Sequence, residues 1–300
     1  MKIFWIVIII IIVILIMFMY LSNFAVLPLN GGSSLIDENI LNNLKKNETR
    51  ENYKLAAVIV EPRKNLIIET INHYLKRLPE YTHFQVYHGL DNEQLIKENF
   101  SNEIKENKIS LLNLGVKNLN ITSYSDLLTK IEFWKTIKSE HVLIYQTDSI
   151  TCSKSNYNIE DFIQYDFIGA PTTKIVNKSL YYYFLMNGIN IENNNYMNGG
   201  LSFRNKLKCI ECLEKYPWNG RATEDVWFVS ALYRIGANLP TKEVARKYFF
   251  EGEELNTIPW GVHKPRVSKE IRNKLYDLCE EATTLPYVEP HSDYNSLYIF

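Results

Sequence analysis

Four polar residues, Gln146, Thr147, Asp148 and Ser149, follow the apolar run Val142 to Tyr145 without a break. A carboxylate delivered at a strand end is a hard oxygen ligand for a divalent cation. The same residue types also start turns and cap helices by bonding local backbone. Farther on, Glu224 and Asp225 follow Thr223 at the head of an apolar stretch. An acid there serves either as a general base or as a complement to the positive end of a helix dipole. Asn198, Gly199 and Gly200 precede a short apolar strand. They suit a hairpin turn, or a backbone that must approach a ligand where side chains would block it. His263 sits in a loop between Pro259 and Pro265, where an imidazole is a common metal ligand and also a common bystander.

The elements that must position these groups read as alternating strands and helices. Lys54–Glu61, Phe84–Gly89, Ile109–Gly115 and Val142–Tyr145 are apolar runs of strand length. Between them, Ile67, Ile71, Tyr74, Leu75 and Leu78 share one helical face, Asn92–Phe100 is a second helix, and Ser123–Ile137 is a third, capped by Ser123 or Ser125. This alternation predicts an α/β fold with a mostly parallel sheet covered by helices on both faces. Ligands in such folds bind at the carboxyl ends of the strands, where Gln146 to Ser149 fall. Asp166–Pro171 reads as a further strand, Thr223 as the cap of the acidic helix, and Lys269–Ala282 as a late helix.

The chain has 300 residues, 46% hydrophobic and 22% charged, and a formal net charge of −1. It can build a sizeable core, and it lacks the basic surplus that nucleic-acid binding needs. From Ile3 to Leu21 nineteen residues pass without a charge. As a helix they span ~28 Å, close to the hydrocarbon core of a bilayer. Lys2 on one flank, with no positive charge on the other until Lys45, predicts a type II signal anchor: residues 1–22 form the cytosolic tip and transmembrane helix. Residues 23–52 read as a polar stalk, 53–268 as the catalytic-sized domain, and 269–300 as a C-terminal helix and tail. Sequons at Asn47, Asn99, Asn120 and Asn177 permit glycosylation on a lumenal side. Cys152, Cys209, Cys212 and Cys279 are too few for a disulfide framework, and Cys209 and Cys212 lie in a helical segment as ordinary half-buried cysteines. HExxH, GxSxG, GxxxxGK[ST] and GxGxxG are all absent from the sequence.

The segments FWKTIKSEHVLIYQTDSI, YDFIGAP, NGGLSFR, EDVWF, LPTKEVARKYFFE and HKP occur in that order. In this order they resemble the family termed domain of unknown function 5672, which is itself similar to glycosyltransferases of the GT-A fold, over about Leu55 to Pro265. The resemblance implies transfer of a sugar, as by a hexosyltransferase, from a nucleotide-diphosphate donor to an acceptor on a glycan, protein or lipid. It implies that Gln146–Ser149 takes the place of a metal-binding DxD motif. Gln146 stands for the first acid, so Asp148 with His263 would hold Mn²⁺ or Mg²⁺. Glu61, Arg63, Gln146, Thr147, Asn198, Gly199 and Gly200 are implied in donor binding, and Asp225, with Glu224 sharing or aiding, as the base of an inverting reaction. The family it resembles usually ends this motif with an aromatic residue where this chain has Arg266, a departure that either weakens the comparison or adds a phosphate contact. Trp218, Trp227 and Trp260 suit either sugar stacking or the core. Gln146 in place of an acid favours an alternative, a membrane-anchored carbohydrate- or nucleotide-binding protein without turnover. Type II topology fits the ER, Golgi or a viral membrane, with the domain lumenal.

Overall fold

The computed structural model describes residues 36–172, 196–218, 220, 222–252 and 255–286. The expected anchor at Ile3–Leu21, the sequon at Asn177 and the tail beyond residue 286 lie outside them. Among the described residues no helix is long and apolar enough to cross a membrane.

The first element, α1 (Glu38–Lys46), falls inside the segment expected to be a stalk. Its sequence is polar, but Ile40 and Leu44 stand one helical turn apart and are buried in the main core. Asp37 caps the helix by accepting from the Asn39 N–H, and the backbone of Thr49 donates to Lys135. The folded body therefore begins well before residue 53.

Next come β1 (Leu55–Glu61), α2 (Ile67–Arg77), β2 (Thr82–His88), α3 (Glu93–Asn99), α4 (Ser101–Lys105) and β3 (Ile109–Asn113). Every residue of β1 and β2 is buried, as expected of parallel strands covered on both faces. The predicted helix 123–137 is two helices, α5 (Ile121–Leu128) and α6 (Ile131–Lys135). Asn120, not Ser123 or Ser125, is the cap: its Oδ1 accepts from the Ser123 N–H at 2.8 Å while Ser123 Oγ accepts from the Asn120 N–H at 2.9 Å. The break follows from Trp134, whose indole N–H donates to the Leu128 carbonyl at 2.7 Å and so closes the first helix.

After β4 (His141–Tyr145) and β5 (Ser149–Thr151) the chain forms β6 (Phe167–Thr172), β7 (Tyr196–Asn205), α7 (Lys206–Lys215), α8 (Glu224–Arg234), α9 (Lys242–Tyr248), β8 (Phe249–Phe250), β9 (Gly261–His263) and α10 (Lys269–Leu278). The main sheet has six strands in the order β3-β2-β1-β4-β7-β6. Its first four strands are parallel; β7 runs antiparallel to β4 and to β6. Strand order reverses between β1 and β4, so the loops that leave their carboxyl ends diverge and open a crevice.

A small sheet, β5-β9-β8, stands beside that crevice on its own core of Ile150, Val262, Val267, Leu275 and neighbours. Contrary to the expectation from composition, Cys152 and Cys279 are joined in a disulfide that ties the end of α10 to β5. Cys209 and Cys212 are free and buried.

Candidate active site

Strand β4 ends at Gln146 because the chain turns there. The Ser149 N–H and hydroxyl both donate to the Gln146 carbonyl, at 3.1 and 2.7 Å. The turn feeds β5, whose Ser149 pairs directly with His263 of β9, and the Lys264 N–H donates to the Asp148 carbonyl at 2.9 Å. Two residues 115 positions apart in sequence thus meet: His263 Nε2 lies 3.2 Å from Asp148 Oδ1 and 3.3 Å from Gln146 Oε1. Lys264 Nζ stands 3.7 Å from Asp148 Oδ2, and Glu251 Oε1 is 3.7 Å from His263 Nδ1. Burial opposes the charge on both central groups, and their mutual contact outweighs it. The Asp148 carboxyl is held well below the usual range, and His263, facing two carboxylates, is pushed up to about 9.

Gly199 and Gly200 lie within β7, not in a hairpin turn. Their missing side chains make room for other protein groups. A Cβ on Gly200 would collide with the His263 ring and lie 2.7 Å from Gln146 Oε1. One on Gly199 would lie 2.5 Å from Arg204 Nη2 and 2.7 Å from Glu224 Oε1. Asn198 Oδ1 accepts from the Gly200 N–H at 2.7 Å.

The structure separates the two acids of α8. Glu224 is 4% exposed and forms a two-pronged pair with Arg204, Nη1 to Oε2 at 2.8 Å and Nη2 to Oε1 at 3.1 Å. Burial pushes its carboxyl up, against the guanidinium that restrains it, and the pairing leaves it a structural anchor with no free oxygen for an acceptor. Asp225, 8% exposed, accepts from the Tyr196 hydroxyl at 2.6 Å and the Gly199 N–H at 3.2 Å on Oδ2. On Oδ1 it accepts from the Thr223 hydroxyl at 2.6 Å and the Val226 N–H at 2.8 Å. Thr223 occupies the cap position of α8 without capping it, because its hydroxyl is turned to Asp225.

At the end of β1, Glu61 holds the Arg63 guanidinium flat, Nε to Oε1 at 2.8 Å and Nη2 to Oε2 at 2.7 Å. Asn92, wholly buried, donates to the carbonyls of Glu61 and Arg63 and accepts from the Gly89 N–H, which ties the loops after β1 and β2 together.

One cavity of about 420 Å³ collects these groups. Glu61, Arg63, Gln146, Thr147, Asp148, Asn198, Gly200, Glu224, Asp225 and His263 all line it; Gly199 packs behind. Sequence reasoning did not single out Tyr196, Glu251 or the wall from Asn118 to Ser125. Arg204, at 0% exposure, was also missed; a lone charge inside the apolar strand LSFRN was its signal. Trp227 and Trp260 are core residues, Trp218 donates its N–H to the Ala222 carbonyl, and none of the three lines the cavity.

The small sheet is held to α2 by His73, whose Nε2 accepts from the Thr151 N–H at 2.9 Å. Burial lowers its pKa to about 4. The unfolded chain then binds more protons than the folded one between pH 6.5 and 4, so this stabilisation is complete above 6.5 and is lost as pH falls through 4. We expect about 1–2 kcal/mol of acid lability from His73, allowing for its partial solvent access. Thermal melts at pH 7 and 4.5 should show a smaller drop for His73→Gln than for the native chain; equal drops would refute the assignment.

The sequence matches, over residues 108–263, the family described as protein of unknown function (DUF5672), just over half of the chain. None of the curated proteins matches it. Among solved structures it is similar to the bifunctional glycosyltransferase WbbM, at 8% identity and a TM-score of 0.42, covering 72% of this chain and 46% of that one. It is also similar to the apo form of the glycosyltransferase GlyE from Streptococcus pneumoniae TIGR4, at 11% identity and a TM-score of 0.41, covering 75% and 60%. The chain thus spans about half the length of the structures it matches. Likeness of this degree leaves function to be argued from the cavity.

Proposed function

From a chain that belongs to the DUF5672 family of proteins of unknown function, we propose a glycosyltransferase that moves a hexose from a nucleotide-diphosphate donor to a hydroxyl of a glycan, protein or lipid acceptor. The observation that carries this reading is the meeting of Asp148 and His263 at the crevice between β1 and β4, in one cavity with Asp225 and the Glu61–Arg63 pair. Sugar transfer breaks the bond between the anomeric carbon and the diphosphate oxygen, leaving negative charge on the diphosphate that the site must meet. In the inverting form, Asp225 takes the acceptor's hydroxyl proton as that oxygen bonds to the anomeric carbon. Arg63 and Glu61 suit the nucleoside end, with Thr147 and Asn198 as hydrogen-bonding groups on the cavity wall.

Asp148, His263 and the Gln146 amide oxygen converge closely enough to hold a divalent cation, Mn²⁺ or Mg²⁺. Among the described residues no three His, Cys, Asp or Glu side chains form a metal cluster, so the set fits a cation shared with diphosphate oxygens and water. Such an ion, when bound, would supply positive charge to the leaving diphosphate.

The Cys152–Cys279 disulfide supports a domain held outside the cytosol, in agreement with a type II anchor at Ile3–Leu21 and a lumenal domain in the ER, Golgi or a viral membrane. Mass mapping of protein from its native membrane should find this pair linked; free thiols at both positions would count against lumenal placement.

A second reading, a binding protein without turnover, is favoured by two features: the amide at Gln146 and the full set of donors on Asp225. The test is thermal unfolding of the full chain in detergent against UDP, GDP, CMP and their sugars, with and without Mn²⁺. A ligand that binds only the folded state adds about 2.7 kcal/mol at a hundredfold excess over Kd. We expect one nucleotide class to shift the melt and Asp148→Ala to weaken that ligand about 10–100-fold. No shift with any nucleotide would sink the donor reading; a shift without sugar transfer to any acceptor would select the binding protein.

A further inference from the structure

Charges in the cavity are mostly paired within the protein. Glu61 holds Arg63, Glu224 holds Arg204, and Asp148 meets His263 and Lys264. Arg266 differs. It follows β9 by three residues, its backbone N–H donates to the Glu251 carbonyl at 3.0 Å, and its side chain lines the cavity. Its Nε is sealed from solvent and has no hydrogen-bond partner, and among the described residues no carboxylate pairs with its guanidinium. Glu251, the acid beside it on the backbone, turns its carboxylate toward His263 instead. A buried donor left unmet costs stability, and although Arg266 as a whole is half-buried its Nε is the sealed part. Lys264, two residues earlier, reaches Asp148 only at 3.7 Å, beyond hydrogen-bond distance, so its ammonium retains donors for a further partner.

We propose that Arg266, seconded by Lys264, is an anion-binding residue that takes phosphate oxygens in this cavity; that the anion is the donor's diphosphate rests on the reading above. A guanidinium fork matches two oxygens of one phosphate, and its charge does not depend on pH. Placed on the wall that carries Asp148 and His263, it meets the charge that accumulates on a leaving diphosphate, and it does so whether or not a divalent cation is present. Gln146 is consistent with this arrangement: an amide there leaves Asp148 as the lone carboxylate of the turn, so an incoming diphosphate meets one fewer like charge.

The test is calorimetric titration of the full chain in detergent with inorganic pyrophosphate, UDP and GDP, once in EDTA and once in Mn²⁺. Arg266→Gln should weaken pyrophosphate about tenfold or more in both buffers, and Arg266→Lys, which keeps the charge and loses the fork, should fall between. Lys97→Gln, on the remote helix α3, should change nothing. Should Arg266→Gln unfold, Arg266→Lys alone decides, with native affinity in that variant counting against the fork. Pyrophosphate affinity unchanged in Arg266→Gln, or no pyrophosphate binding by the native chain in either buffer, overturns the inference. A native chain that binds pyrophosphate through Arg266 and neither nucleotide keeps the anion site and loses the donor reading. Nucleotide binding indifferent to Arg266→Gln keeps the donor reading and removes the anion site.

Discussion

Arg204→Ala should lower the stability of the folded domain by about 3–5 kcal/mol, the usual cost of stranding one partner of a buried ion pair. For a body of this size each kcal/mol moves the thermal midpoint by roughly 2–4 °C, so the melt should fall by roughly 6–20 °C. Arg204 is wholly buried and spends its donors on Glu224, Ser202 and the Gly199 carbonyl, between the rings of Phe167 and Phe228. Its removal leaves the buried Glu224 carboxylate without its counter-charge, at the first turn of α8. That helix end also carries Asp225, so a loss of stability and a loss of binding should appear together. The double variant Arg204→Met with Glu224→Leu removes both charges and should recover much of the stability, because apolar replacements of a buried pair are often neutral. If the two single variants simply add in the double, the pair is not coupled and its assigned role fails.

Legibility of this fold tracks how local each signal is. The strands β1 to β4 and helix α2 announce themselves in runs of five to eleven residues, by continuous burial or by a 3.6-residue repeat. Helix α1 escaped because six of its nine residues are Asn, Lys or Glu, and only Ile40 and Leu44 reveal a buried face. The interruption between α5 and α6 depends on an indole six residues from the carbonyl it caps, which no propensity encodes. The Cys152–Cys279 bond closes across 127 residues, and composition alone argued against it.

The candidate site shows the same division. Asp148 could be placed at a strand end because β4 is legible and its polar sequel is short. Its pairing with His263 could not be read from spacing, since it is set by the antiparallel register of two three-residue strands. The glycines at 199 and 200 were visible as an exception but not in their reason. They clear the Arg204–Glu224 pair and the His263 ring, so the demand for glycine comes from distant residues folded onto them. The acidic pair of α8 looked like one motif, whereas both acids line the cavity and differ in their partners: Glu224 is spent on Arg204, and Asp225 is held by hydroxyl and backbone donors.

Asp225→Asn should lower sugar transfer about 10²–10⁴-fold, the range a positioned general base contributes, while donor affinity changes little. The expectation follows from the way the carboxylate is held. Four donors from Tyr196, Gly199, Thr223 and Val226 fix both oxygens, so its orientation toward the cavity does not have to be chosen during reaction. Two of the four are hydroxyls, and rotation of either O–H can release a lone pair for the acceptor's proton at small cost. Asparagine retains the shape and one acceptor oxygen but offers no carboxylate to a proton. Thr223→Val and Tyr196→Phe, which each remove one of these hydroxyl donors, should instead change transfer by about 10–100-fold at most, since one hydrogen bond to a charged group contributes ~1.5–3 kcal/mol. Rates with the nucleotide sugar that shifts the melt, measured at saturating donor, separate the cases. Transfer by Asp225→Asn within about threefold of native would remove Asp225 as the base and favour a retaining reaction, which needs no base at this position.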